Sequence, residues 1–281
     1  MPLMAHAQAP VVLNNNGEPM RVPFACNESD LQAGGLLCTD DEPCAIYLEL
    51  SAVAAQGGKL LVAGDLHATS ATLASVLLSS DDAGLTWKEP TARVPGSALE
   101  HLQFLDAQHA WAAGEVQYPL ARDPFFLLST DGGSYWRQQP VTDDGGPGSV
   151  LRFWFDSPQH GELIVDAGKT AEPGRYGLYE AETGGTGWML RSSTLQLPKL
   201  ANAPASTESA DFRIRASGNA NRIEKRAGEK WETAASFLVE TASCKTPPAE
   251  LKEPPPDVTE PEKPAPDTPD LDKIPALIPQ K

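Results

Sequence analysis

No apolar run in this chain approaches the ~20 residues a helix needs to cross a bilayer, so no transmembrane segment is expected. Positive charge is also scarce. Lys and Arg number 22 against 38 Asp and Glu, a formal net charge of −16. Such a surface repels nucleic-acid phosphates, and no basic stripe with interleaved aromatics offsets it. The five histidines are scattered and the four cysteines include no Cys-x-x-Cys pair, so a metal site is not expected. Gly-x-Ser-x-Gly and glycine-rich phosphate loops are absent, and nothing calls for a cofactor. Aromatics make up only 7% of the chain, which gives weight to tryptophans that recur at a fixed spacing.

Recurrence is the dominant feature of what is present. An apolar strand runs into Ser80-Asp81-Asp82-Ala83-Gly84-Leu85-Thr86-Trp87, and Ser129-Thr130-Asp131-Gly132-Gly133-Ser134-Tyr135-Trp136 repeats the Ser, Asp, Gly and Trp at identical offsets. In a turn that must reverse within a few residues, the Ser hydroxyl and Asp carboxylate hydrogen-bond to turn backbone. The Gly tolerates positive φ, and the Trp is a large apolar plug. Two reduced copies keep only Gly three residues before Trp: Gly185 with Trp188, and Gly228 with Trp231. The tryptophans are spaced 49, 52 and 43 residues apart. That rhythm is the period of four-stranded propeller blades.

The pattern Ser-x-Asp-x-Gly-x-Thr/Tyr-Trp resembles the Asp-box, or BNR, repeat of sialidases and of photosystem II assembly-factor-like propellers. The resemblance covers roughly residues 46–240 and is specific in the first two copies. It implies an all-β fold, a small β-propeller of about four four-stranded blades, with a fifth partial blade if residues 10–45 supply one. The boxes themselves are read as fold markers, not as catalytic groups.

Strand patterns agree with three full blades. The first takes residues 46–50, 59–65 and 72–78 with a fourth strand from Trp87. The second takes 99–105, 109–117, 124–128 and 136–141, and the third 150–155, 161–167, 176–180 and 188–193. In the fourth, the stretch 195–210 is rich in Pro, Ala, Ser and Thr. Either a loop replaces the inner strand there or Pro198-Lys199-Leu200 supplies a short one. Residues 237–240 are expected as a final strand completing the first blade.

Outside the repeats, residues 1–9 read as a signal-peptide remnant or a frayed terminus, because Ala5, Ala7 and Ala9 have the spacing of a leader's end. Residues 10–45 form a cysteine-containing extension, 46–245 the propeller, and 246–281 an acidic tail. The tail holds 11 of the 26 prolines and eight acidic residues against four Lys, a disordered composition. Cys26, Cys38 and Cys44 precede the repeats and Cys244 follows them. An even count placed this way suggests disulfides and an oxidising location, periplasmic or secreted. Three pairings are open; a ring of blades favours fastening Cys44 or Cys26 to Cys244, with the other two paired locally.

Candidate site residues come from the connections between second and third strands, which in such propellers gather at the mouth of the channel. Asp65, Glu115 and Asp166 lie 22, 21 and 22 residues before their Trp. His67, Tyr118, Arg122, Lys169, Arg175 and Tyr176 lie in the same connections. Carboxylates converging there suit a binding face for a protein or glycan partner. The alternative is a sialidase-like glycoside hydrolase using two of them as acid and base or nucleophile. Met20-Arg21-Val22-Pro23 is similar to the arginine motif preceding the first box of sialidases, so Arg21, Arg122 and Arg175 are the candidate substrate arginines. The reading carried forward is a monomeric, non-catalytic binding or assembly module.

Overall fold

The computed structural model describes residues 11–117, 120–205 and 209–245. The leader-like residues 1–9 and the tail 246–281 lie outside the described residues. In chain order the first elements are β1 (Leu13–Asn14), α1 (Glu28–Ala33), β2 (Cys44–Gln56), β3 (Lys59–His67), β4 (Thr72–Ser80) and β5 (Thr86–Trp87). Next come β6 (Ser97–Phe104), β7 (Ala110–Gln117), β8 (Ala121–Ser129), β9 (Arg137–Pro140), β10 (Ser149–Phe155), β11 (Gly161–Asp166), β12 (Tyr176–Ala181) and β13 (Met189–Thr194). The last are β14 (Phe212–Ser217), β15 (Ala220–Ala227), β16 (Lys230–Leu238) and β17 (Glu240–Cys244). They form four main antiparallel sheets, ordered β17-β2-β3-β4, β6-β7-β8-β9, β10-β11-β12-β13 and β14-β15-β16, and the short pair β1-β5.

Burial explains where the sequence patterns are strong. Strands β3 and β4 sit between neighbours on both faces and are buried almost end to end, so they read as continuous apolar runs. Apolar clusters fill the spaces between sheets. Trp136 lies with Leu61, Ala63 and Leu99 between the first and second; Trp111, Phe126 and Phe155 lie between the second and third. Trp87 meets Phe237 edge-on at 5.3 Å, joining the first sheet to the fourth.

The inner strands share an irregularity. Pairing shifts by one residue at Ser51 in β2, Glu100 in β6 and Leu151 in β10. Each is a bulge, which bends the strand and turns a side chain out of register. Opposite the first two bulges stand Gly64 and Gly114, where a Cβ would lie 1.9 Å from the carbonyl oxygens of Glu49 and Ala98. Only glycine fits so close a backbone approach.

The first two turns are tied as their residue types demand. Ser80 Oγ accepts from Gly84 N at 2.8 Å and donates to Asp82, whose carboxylate accepts from Thr86 N at 2.8 Å and Thr86 Oγ1 at 2.6 Å. Ser129 and Asp131 make the corresponding bonds to Gly133 and Tyr135. The indoles of Trp87 and Trp136 each donate to the turn glycine carbonyl, at 3.1 and 3.0 Å. The reduced copies depart from this. Trp188 stacks on Phe126 at 4.9 Å but its indole nitrogen is buried without a hydrogen bond. Trp231 is only half-buried within β16, paired with Arg226 across a tight hairpin. Without the Ser and Asp, the turn at Gly228 closes as a simple reversal and releases its tryptophan.

In the fourth sheet the loop alternative holds, and two other places differ from the sequence pattern. The fourth sheet has three strands, and residues 195–205 form a loop anchored by buried Leu200, so Pro198-Lys199-Leu200 adds no strand. The prolines of that stretch carry no backbone donor for a ladder, and its small residues give little to pack. Phe237 and Leu238 finish β16; the strand that joins the first sheet starts at Glu240 and pairs with β2, with Cys244 opposite Cys44. The strand expected after Trp87 is reduced to β5, which pairs with β1, and the contacts Ser79–Lys88 and Ala74–Pro95.

Residues 13–26 act as a clip across this junction, and among the described residues the segment before β2 adds to the sheets only β1 of the two-stranded pair β1-β5 rather than a further blade. Asn15 Nδ2 donates to Gly84 O and Ala234 O at 2.8 and 2.7 Å. Met20 bridges Phe237, and Thr241 Oγ1 donates to Val22 O. Disulfides join Cys26 to Cys244 and Cys38 to Cys44.

Candidate functional site

The first strands of all four sheets, β2, β6, β10 and β14, face one cavity of about 560 Å³. Its wall combines Ser51, Glu100, His101, Trp154, Phe212 and Trp231 with backbone of these strands. Polar members are held in place. Gln103 Nε2 donates to Phe155 O and Gln103 Oε1 accepts from Phe155 N, at 2.7 and 2.8 Å, locking the second sheet to the third. His101 Nε2 lies 2.8 Å from Val150 O, and burial holds its imidazole below the usual range, favouring the neutral ring. The Arg213 guanidinium sits 4.2 Å over the Trp231 ring and is fixed by Glu224 at 2.7 Å. Trp231 therefore presents a positioned aromatic face to the cavity.

A second cavity, about 370 Å³, adjoins it at the β3–β4 connection and shares Ser51 and Glu100 with it. Glu49, Asp65 and His67 line it. Glu49 and Asp65 are register partners across β2 and β3. Asp65 is 7% exposed. Burial, reinforced by Glu49 and Glu100 and opposed by His67, raises its pKa to about 6. His67 Nδ1 lies 3.1 Å from Ala68 O and its Nε2 faces Glu49 at 3.8 Å.

The other sequence candidates have different roles. Glu115 is 1% exposed and accepts from Val150 N at 3.2 Å and Gln117 Nε2 at 3.1 Å. Burial, with Glu100 nearby, raises its pKa to about 7. Asp166 occupies the corresponding place in the third sheet, but its carboxylate is gripped by Arg175 through Nε at 2.9 Å and Nη2 at 2.5 Å, which lowers its pKa. Arg175 in turn lies 4.8 Å over Tyr176. Arg122 pairs with Asp123 at 2.8 Å, and Lys169 is exposed. Tyr118 lies outside the described residues. Arg21 is directed away from any such site, donating to Glu240 O and Thr241 O. Asp65 and Glu115 thus share Glu100 as a neighbour, and Asp166 stands apart with its own arginine.

Among the described residues, ligand atoms at metal spacing occur in His160, Glu180 and Glu182. Both nitrogens of that histidine are engaged, Nδ1 with Asp156 at 2.7 Å and Nε2 with Glu180 at 3.1 Å. Asp156 holds the imidazole above its usual pKa, and Arg191 contacts Glu180 as well. The group is an ion-pair network.

Sequence reasoning passed over Glu49, Glu100, Ser51 and Trp154. A signal was present for two of them: Ser51 and Glu100 are separated by the same 49 residues as Trp87 and Trp136. Glu49 becomes visible only once β2 and β3 are set in register.

Four antiparallel sheets whose first strands surround one cavity define a small β-propeller, all-β among the described residues but for the turn-and-a-half of α1. No protein family and no curated protein sequence matches the chain. Among solved structures it is similar to YCF48 bound to D1 peptide, at 18% identity over 70% of this chain and 56% of that one, with a TM-score of 0.38. It is similar to YCF48 from Cyanidioschyzon merolae at 17% identity, covering 67% and 59%, TM-score 0.36. The endosialidase of phage phi92 matches at 9% identity, covering 78% and 46%, TM-score 0.39. The chain spans about half the length of these structures.

Proposed function

We propose that the protein is a non-catalytic binding module that takes a segment of a protein partner at the face where the two cavities meet. The observation that carries this reading is the central cavity of about 560 Å³, with the Trp231 ring fixed beneath Arg213 and Trp154 also in its wall. Aromatic walls with a few placed polar groups suit a peptide segment, whose alternating side chains enter pockets while its backbone meets polar rims. Of the three carboxylates picked out by their spacing, Asp166 is neutralised by Arg175 and Glu115 is spent on holding the start of β10, which leaves Asp65 with Glu49 and Glu100 around the smaller cavity. Two disulfides support a periplasmic or secreted site of action.

The test is panning of a displayed random-peptide library on the immobilised full chain, with Trp231→Ala as the control and a panel of aryl glycosides assayed in parallel. Enrichment of a peptide family on the wild-type protein and its loss on Trp231→Ala is the expected result. No enrichment, with turnover of any glycoside, would replace the module with the enzyme.

A further inference from the structure

The acidic cavity beside the channel contains a carboxylate that the fold has no use for. Asp65 is 93% buried by the residue's own exposure of 7%, yet its side chain forms no hydrogen bond and no salt bridge among the described residues, and it lines the 370 Å³ cavity. Its carboxylate opens into that cavity rather than onto protein donors, where loss of water would be costly unless a charge partner took its place. Glu49 and Glu100 bring two more negative charges to the same space, while Ala68, Ala71 and Ala98 give it apolar surface. Glu115, behind Glu100, adds to the negative field whenever it ionises. Among the described residues, the cationic group facing this space is His67, charged only when protonated.

We propose that this cavity is a recognition pocket for a lysine or arginine side chain of the partner segment, Asp65 accepting the buried charge and Glu49 and Glu100 flanking it. The inference rests on the binding-module reading and names the chemistry of one subsite. Size selects the organic cation over a metal. A divalent ion needs several ligand atoms about 2.0–2.6 Å from one point, and no three of these acidic and histidine groups bring ligand atoms within 4.8 Å of one another. An ammonium or guanidinium on an alkyl stem reaches carboxylates set farther apart, and the stem covers the alanine surface. Asp65, with a pKa of about 6, is mostly ionised at neutral pH and ready to pair.

Calorimetric titration of the full chain at pH 7.5 with Nα-acetyl-lysine amide and Nα-acetyl-arginine amide tests the pocket. Nα-acetyl-norleucine amide, putrescine and calcium chloride serve as comparison ligands. Binding of the two cationic amides, with none of norleucine amide, is expected. It weakens by about tenfold or more in Asp65→Asn, as for removal of one partner of a desolvated charge pair, and by less in Glu49→Gln, whose glutamate is exposed. Equal binding to wild type and Asp65→Asn, equal binding of norleucine amide, or calcium binding in place of the amides would each overturn the proposal. Putrescine binding more tightly than either amide would also overturn it, in favour of a free polyamine. Library peptides that lack basic residues would sink the pocket and leave the module intact. Lysine binding with no enriched peptide would sink the module reading alone.

Discussion

Two buried carboxylates, one in β3 and one in β7, make stability depend on pH in an unusual direction. Glu115 has an ordinary pKa of 4.5 and a folded value of about 7, so the folded chain binds a proton that the unfolded chain has already lost. Its penalty is absent below about 4.5, grows as pH rises, and is complete above about 7. Asp65 behaves alike between 3.8 and about 6. Asp82 works the other way: Thr86 holds it at about 2, so its contribution is present above 3.8 and lost as pH falls through 2. The protein is therefore expected to be most stable near pH 4–5, less so at pH 8. Glu115→Gln removes the ionising group and keeps an acceptor for Val150 N, with Gln117 able to turn its amide. Denaturant midpoints at pH 5 and pH 8 should show that variant gaining about 1–3 kcal/mol at pH 8 relative to wild type, with little change at pH 5. A variant less stable at both pH values would show that Glu115 is ionised and needed as an anion.

At the scale of elements, the bulges on β2 and β6 aim Ser51 and Glu100 at both cavities, and each depends on the glycine opposite it. Gly114→Ala forces a Cβ against the Ala98 carbonyl, so β6 and β7 must separate. A loss of about 2–4 kcal/mol is expected by chemical denaturation; a change under about 0.5 kcal/mol would mean the strands give way freely. These elements also show what a sequence can reveal. Strands of the first three sheets were legible because each is a local pattern, an alternation or an apolar run ended by turn residues. The Ser80–Asp82 and Ser129–Asp131 turns were legible because the hydrogen bonds of their Ser and Asp side chains span four residues or fewer. The pairing of β17 with β2, the β1–β5 pair and the straps of Asn15 and Arg21 were not, since each joins residues distant in sequence. Part of the candidate site followed the same rule. Asp65 was found from its offset to Trp87, while Glu49 and Glu100 owe their places to cross-strand register and a bulge.

For the molecule as a whole, the ring is held by one long connection and one short one. Cys26–Cys244 spans 218 residues and Cys38–Cys44 only 6. The chain-entropy relation gives about 5 kcal/mol for the first and about 2 kcal/mol for the second. Cys26→Ser with Cys244→Ser is expected to lower the thermal midpoint well below that of Cys38→Ser with Cys44→Ser. Equal losses would mean that the non-covalent clip of residues 13–22 already closes the ring. The same closure holds the fourth sheet, and with it Trp231, against the first. The most direct test of a central peptide-binding cavity is a 1H–15N titration that follows the indole signals of the six tryptophans while a library-selected peptide is added. Trp154 and Trp231, which line the cavity, are predicted to shift, and the interior plugs Trp87 and Trp136 to stay fixed. Saturable binding that leaves Trp154 and Trp231 unmoved would contradict the account.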